Sequence, residues 1–227
     1  MPNTTLNSPD ATSRVAIWDL PTRLFHWLLV GSIGFSWWSA EYHYDDLHIW
    51  SGIAVLSLLI FRILWGFVGG STARFASFVR GPKAVLGYLR GTWRGIGHSP
   101  LGALSVVALL GMVGVQVGLG LFASDEDGIM QGPLARLVSF DTADWAREWH
   151  EELFNVLLAL IGLHIAAIIF YRLRGKRLVR PMVTGRGEVQ SGVQPMRPAR
   201  WWVAVLCLII AIGITRWVIA GAPPFSS

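Results

Sequence analysis

The chain has 227 residues, of which 53% are hydrophobic, and its mean hydropathy is +0.49. Apolar runs of about 18 to 22 residues recur along it, the length that crosses a ~30 Å hydrocarbon core, so an ordinary soluble enzyme is excluded and an all-α integral membrane bundle is predicted. The formal charge of +5 sits mainly in two loops between these runs, which marks membrane topology and not a nucleic-acid partner; the one cysteine, Cys207, lies inside an apolar run and leaves no disulfide framework or cysteine metal site.

A polar tail of residues 1–22 opens the chain without a small-residue cleavage pattern and is expected to be retained. Five membrane helices are predicted, at about 23–41, 47–66, 101–122, 149–171 and 201–220. The connection 41–47 carries Glu41, Asp45 and Asp46 and no Lys or Arg, whereas 67–100 carries Arg74, Arg80, Lys83, Arg90 and Arg94 and no acid. The third connection, 123–148, is acidic, and the fourth holds Arg172, Arg174, Lys176, Arg177, Arg180, Arg186, Arg197 and Arg200. Positive loops stay inside, so the N-terminus and the loops after spans two and four are expected to be cytoplasmic and the C-terminus periplasmic. In the second loop Phe75, Phe78, Val79, Val85, Leu86 and Leu89 alternate with basic residues; this fits a helix lying on the membrane surface and equally fits ordinary basic loop filler. The predicted organisation is a cytoplasmic tail (1–22), a four-helix domain (23–182), a flexible cytoplasmic linker rich in Gly and Pro (183–200), and a fifth, C-terminal transmembrane helix with a short tail (201–227).

The six histidines are His26, His43, His48, His98, His150 and His164. Polar rings inside a span are costly and by default face a cofactor, a cavity or a partner. His150 and His164 stand two heptads apart on span four, so they share a face at membrane depths separated by ~21 Å. With the expected orientation, His26 opens span one at the depth of His164, and His48 opens span two at the depth of His150. Two histidines per level are too few for zinc or copper, which want three or four clustered ligands, but they suit axial ligation of a haem on both faces. The expected metal ligands are therefore an inner pair, His26 with His164, and an outer pair, His48 with His150, holding two haems. Without a C-x-x-C-H motif the haems are non-covalent. His43 is an alternative outer ligand to His48, and His98, in a Gly- and Pro-flanked loop, is expected to be solvated.

Gly52, one turn after His48, would let a macrocycle approach the backbone, and Gly111, Gly114, Gly118 and Gly120 on span three suit either such an approach or small-residue helix packing. Arg62, two heptads after His48, and Arg23, one turn before His26, are candidates for haem propionates or for snorkelling to anionic headgroups. Trp is abundant at 12, and Trp18, Trp27, Trp37, Trp38, Trp50, Trp65, Trp149, Trp201, Trp202 and Trp217 fall near predicted span ends, most of them expected to be interfacial anchors.

In order along the chain, VAIWDLPTRLFHW (15–27), LHIWSGIAVLSLLIFRILWGFVG (47–69), ARFASFVRGP (73–82), SPLGALSVVALLGMVGVQVGLGLF (99–122) and WHEELFNVLLALIGLHIAAIIFY (149–171) resemble the bacterial cytochrome b561 and nickel-iron hydrogenase b-type cytochrome family. The resemblance implies a diheme membrane cytochrome b of four or five helices whose ligands fall on His26 of W-D-x-P-x-R-x-x-H-W, on His48 of H-x-x-x-G, and on His150 and His164. It implies electron transfer across a bacterial inner membrane between a periplasmic partner, a c-type cytochrome or a hydrogenase, and quinone in the respiratory chain. Span five carries no haem ligand. A second reading makes the protein a haem-containing oxidoreductase passing electrons from superoxide or a small reductant to quinone, with Arg136 and Arg147 attracting the anion. A third, a haem-free transporter, lacks the repeated halves and broken helices of that class.

Overall fold

The computed structural model describes residues 12–93, 95–190 and 193–224. Arg94, counted above with the basic loop, and most of the N-terminal tail lie outside them.

Helix α1 (Leu20–Glu41) starts where Asp19 accepts the amide of Thr22 at 2.9 Å and Pro21 presets the first turn. A short turn leads into α2 (Asp45–Val68), whose first turn carries Asp45 and Asp46 at the positive end of its dipole. Two short helices follow, α3 (Phe75–Phe78) and α4 (Pro82–Leu89), the second opened by its own proline. Helix α5 (Pro100–Phe122) is capped by Ser99, which accepts from Gly102 N at 3.1 Å. Helix α6 (Phe140–Leu173) has 34 residues, α7 (Val179–Thr184) ends on Gly185 in the left-handed region at φ 78°, and α8 (Trp201–Ile219) closes the chain.

Helices α2, α5, α6 and α8 are long and apolar enough to cross a membrane. Five spans were predicted. The remaining one, α1, is as long as α5 to within a residue, but His26, Ser32, Ser36 and Ser39 interrupt it and lower its apolarity. Helix α6 begins at Phe140, well before the predicted 149, because a cap sets a helix start and polarity sets only where it enters lipid. Ser139 supplies that cap, Asp141 sits in the first turn, and Arg147 bridges Asp144 and Glu151 one turn to either side.

Helix α2 is the axis of packing, with α1, α5 and α8 against it and α6 against α5. Its Phe61 and Trp65 join Phe25 of α1 and Cys207 and Ala211 of α8 in one buried cluster, and its Val55 meets Val113 of α5 and Leu157 of α6 in another. The Ser57 hydroxyl donates to Thr215 Oγ1 at 3.0 Å, a polar clip between α2 and α8. Outward apolar residues such as Leu163, Ile165 and Ile169 of α6 stay exposed, a surface that only lipid satisfies.

A layer of shorter elements closes the end of the bundle at which α1 starts and α6 stops. The stretch predicted as a flexible linker is partly ordered there. Strand β2 (Arg186–Gln190) pairs antiparallel with β1 (Thr12–Ala16), from Thr12 opposite Gln190 to Ala16 opposite Arg186. Ile17 N and Trp18 N donate to Gly185 O at 2.8 and 3.1 Å, and the Tyr88 and Tyr171 hydroxyls meet at 2.6 Å, tying α4 to the end of α6.

Candidate haem sites

At the far end of the bundle the start of α2 and the early turns of α6 bring His48 and His150 together. Their ring centroids are 5.9 Å apart with the planes at 87°. Two metal–imidazole bonds of about 2 Å, with a ring radius beyond each, require a separation of this size. Each Nδ1 is already committed. That of His48 donates to the carbonyl of Ser36 on α1 at 3.0 Å, and that of His150 to the carbonyl of Gln116 on α5 at 2.9 Å. A ring fixed at Nδ1 by a carbonyl carries its proton there, which leaves Nε2 as a lone-pair donor and sets the ring's direction.

Two residues of α5 build this site, Gln116, which the sequence did not single out, and Gly120, one of the glycines expected to allow close approach. Gln116, buried in an otherwise apolar α5, donates from Nε2 to the backbone carbonyl of His150 at 2.6 Å. Gly120, one turn later, packs directly on the imidazole: a Cβ there would lie 3.0 Å from Cε1 of His150. Gln116 had a sequence signal, since a lone amide within a membrane span needs a partner. His43, the alternative to His48, is exposed in the connecting turn with φ 56°.

The other end gathers His26 from the second turn of α1, His164 from α6, Arg62 from α2 and, unpredicted, His98 from the loop before α5. His164 Nδ1 lies 3.3 Å from the hydroxyl of Ser105 on α5, whereas His26 Nδ1 is buried with no hydrogen-bond partner. The Arg62 side chain is buried against the ring of Phe75, 4.8 Å from its centroid, with Nη1 unpartnered. His98 is half-buried and not freely solvated. It packs between Trp18 and Phe78, at 4.6 and 4.5 Å between centroids, and its Nδ1 is buried without a partner. Burial, followed by the positive charge of Arg62 and the neighbouring His164 and His26, holds its pKa down at about 3. The sequence reading missed it because its contacts come from residues distant along the chain.

A family model described as prokaryotic cytochrome b561 matches residues 17–185. The chain belongs to the prokaryotic cytochrome b561 family. It is a b-type haem membrane protein of electron transfer, and the match spans α1 to α7, leaving β1, β2 and α8 outside it. No curated protein and no solved structure matches the chain.

For a cytochrome b561 the residues present fit the prosthetic group. His48 and His150 stand as a pair, and among the described residues no group of three or more His, Cys, Asp or Glu is placed to hold a bare metal ion. A Cβ on Gly52, one turn from His48, would meet open space, as would one on Gly118 of α5. The unpartnered Nη1 of Arg62 is a buried cationic donor of the kind a propionate satisfies. Arg23 is engaged elsewhere: one arm donates to the carbonyl of Val183 in α7, although its Nε is buried and unpartnered. Trp27 likewise donates to Met182 O at 3.2 Å, so this face of α1 anchors the shorter elements. At the far end Arg147 is ion-paired with Asp144 and Glu151, and Arg136 is exposed on a short 3-10 turn.

Proposed function

We propose that the protein is a diheme cytochrome b that moves electrons across a bacterial inner membrane between a periplasmic redox partner, a c-type cytochrome or a hydrogenase, and the quinone pool. The reading rests above all on the His48–His150 pair, which has the separation of two axial ligands and both outer nitrogens tied to carbonyls. When bound, the haems supply reversible one-electron chemistry at a potential set by ligation, burial and nearby charge. His48 and His150 hold the outer haem, and His26 and His164 hold the inner one. Gly52 keeps backbone clear of the macrocycle, and Arg62 offers its guanidinium to a propionate of the inner haem.

In this reading α1 is a fifth membrane helix, since it packs along α2 for its length and carries a ligand. The basic loops support a cytoplasmic N-terminus and layer of shorter elements, and a periplasmic C-terminus. The superoxide alternative has less support, because Arg147 is already neutralised by two carboxylates. The test is haem content. Protein purified from haem-replete cells should carry two haems b per chain, with a reduced-minus-oxidised b-type spectrum and two components in a redox titration. A stoichiometry of one would overturn the diheme assignment.

A further inference from the structure

The layer of shorter elements forms a half-open cleft of about 670 Å³ that the haem reading does not use. Arg74, Arg80, Lys83 and Arg197 stand around it, contributed by the α3–α4 region and by the segment leading to α8. No Asp or Glu lines it, and among the described residues the ion pairs are those of Arg147 at the opposite end, so these four cations have no carboxylate partner. Deeper in, Thr72 and Phe78 are buried, the Thr72 hydroxyl donates to Ile17 O at 2.6 Å and so ties this wall to the segment before α1, and His98 forms part of the lining with its buried Nδ1 unpartnered. The cleft is held in shape by Ser71, whose amide donates to Arg197 O at 2.9 Å and whose hydroxyl accepts from Arg197 N at 3.0 Å.

A cleft that joins cations without carboxylate partners to the aromatic and apolar surface of Phe78, Trp93 and Pro195 matches an anion attached to a less polar body. We propose that this cleft is a binding site for a phosphate group, carried by an anionic phospholipid of the surrounding leaflet. Topology alone accounts for basic loops but not for the convergence of four of their cations on one cleft.

The test uses the full-length holoprotein in bilayer discs. Wild type should retain phosphatidylglycerol through detergent exchange, as read by native mass spectrometry, and should bind it in preference to phosphatidylcholine. The variant Arg74→Gln/Lys83→Gln/Arg197→Gln should lose on the order of a hundredfold in retention, at roughly fivefold per surface cation. The control Arg172→Gln/Arg174→Gln/Arg177→Gln, equally basic but not lining the cleft, should retain lipid as wild type does. Retention unaffected by inorganic phosphate identifies the lipid as the source. Displacement by inorganic phosphate at equal concentration identifies free phosphate as the occupant of the same site. Equal loss in both triple variants would overturn the proposal in favour of diffuse surface charge. So would loss of a haem from the cleft variant, since the cations would then serve the prosthetic group.

Discussion

The two ends of the bundle hold their histidines by different means. At the His48–His150 end both outer nitrogens donate to backbone carbonyls, of Ser36 and of Gln116, which no side-chain substitution removes. At the His26–His164 end one outer nitrogen faces a side-chain hydroxyl at 3.3 Å and the other has no partner, while a buried arginine and a third histidine stand close by. One site is oriented by hydrogen bonds before any ligand arrives. The other is set by charge and burial, and so should be the one whose properties respond to substitution. Under the proposed assignment ligand supply is nevertheless independent at the two ends, because no histidine is common to both.

The largest expected effect is loss of one haem at a time. His48→Ala and His150→Ala should each remove the same redox component and leave the other, and His26→Ala and His164→Ala should do the converse, since the two sites lie ~21 Å apart along α6. His43→Ala should leave both bound. Redox titration of each purified variant reads the outcome directly. If His43→Ala removed the component that His48→Ala spared, the outer assignment on α2 would be wrong.

Next in size are changes that leave all four histidines in place. Gly120→Val puts branched carbon where even a single Cβ would stand 3.0 Å from His150 Cε1, so the ring must turn and the outer haem should be lost in part while the inner is kept. Arg62→Met should act on the other component. Removing a buried cation disfavours the added electron, so the inner midpoint should fall by roughly 50 mV, close to the 59 mV that marks a tenfold change for one electron. An unchanged inner potential would mean that Arg62 faces no propionate.

These contrasts also show which parts of the architecture the sequence could reveal. The pairing of His48 with His150 was predictable because helix periodicity and loop charge together fix depth and face, and both rules act within one element or one turn. His98 was not, for its surroundings come from Trp18 before α1 and Phe78 in α3, and nothing local distinguishes a solvated loop histidine from one packed by distant aromatics. The β1–β2 pair escaped for a related reason: strands of five residues carry too little alternation, and their register is set by the docking of Gly185 on Ile17 and Trp18. The early start of α6 was hidden because polarity marks the membrane edge and the helix continues past it to its Ser139 cap.

His98 gives a pH dependence. Its pKa of about 3 in the folded protein lies below the ordinary value of 6.5, so the unfolded chain binds the proton more readily. The linked stability is complete above pH 6.5 and is lost as pH falls toward 3, at about tenfold in the unfolding equilibrium per pH unit. His98→Phe keeps a ring between Trp18 and Phe78 and removes this proton. It should therefore flatten the fall in thermal midpoint between about pH 6 and pH 4 relative to wild type, as measured by detergent-phase thermal unfolding. A slope identical to wild type would show that His98 is solvated after all.

The smallest effect is the one that isolates the difference between the ends. Ser105→Ala removes the hydroxyl beside His164 Nδ1 and puts nothing in its place, whereas Ser36→Ala removes a hydroxyl 3.3 Å from His48 Nδ1 but leaves the Ser36 carbonyl that accepts from the same nitrogen at 3.0 Å. Loss of a partner to a ligating imidazole typically costs 10–100-fold in affinity, and a bond as long as 3.3 Å belongs near the low end, about tenfold. Ser105→Ala should thus weaken retention of the inner haem about tenfold on transfer to an excess of apomyoglobin, with its b-type spectrum otherwise unchanged, and Ser36→Ala should leave the outer haem's transfer rate within about twofold of wild type. Equal sensitivity at both ends would mean that the carbonyls do not orient the outer pair, and the distinction between a site held by backbone and one held by side chains would fail.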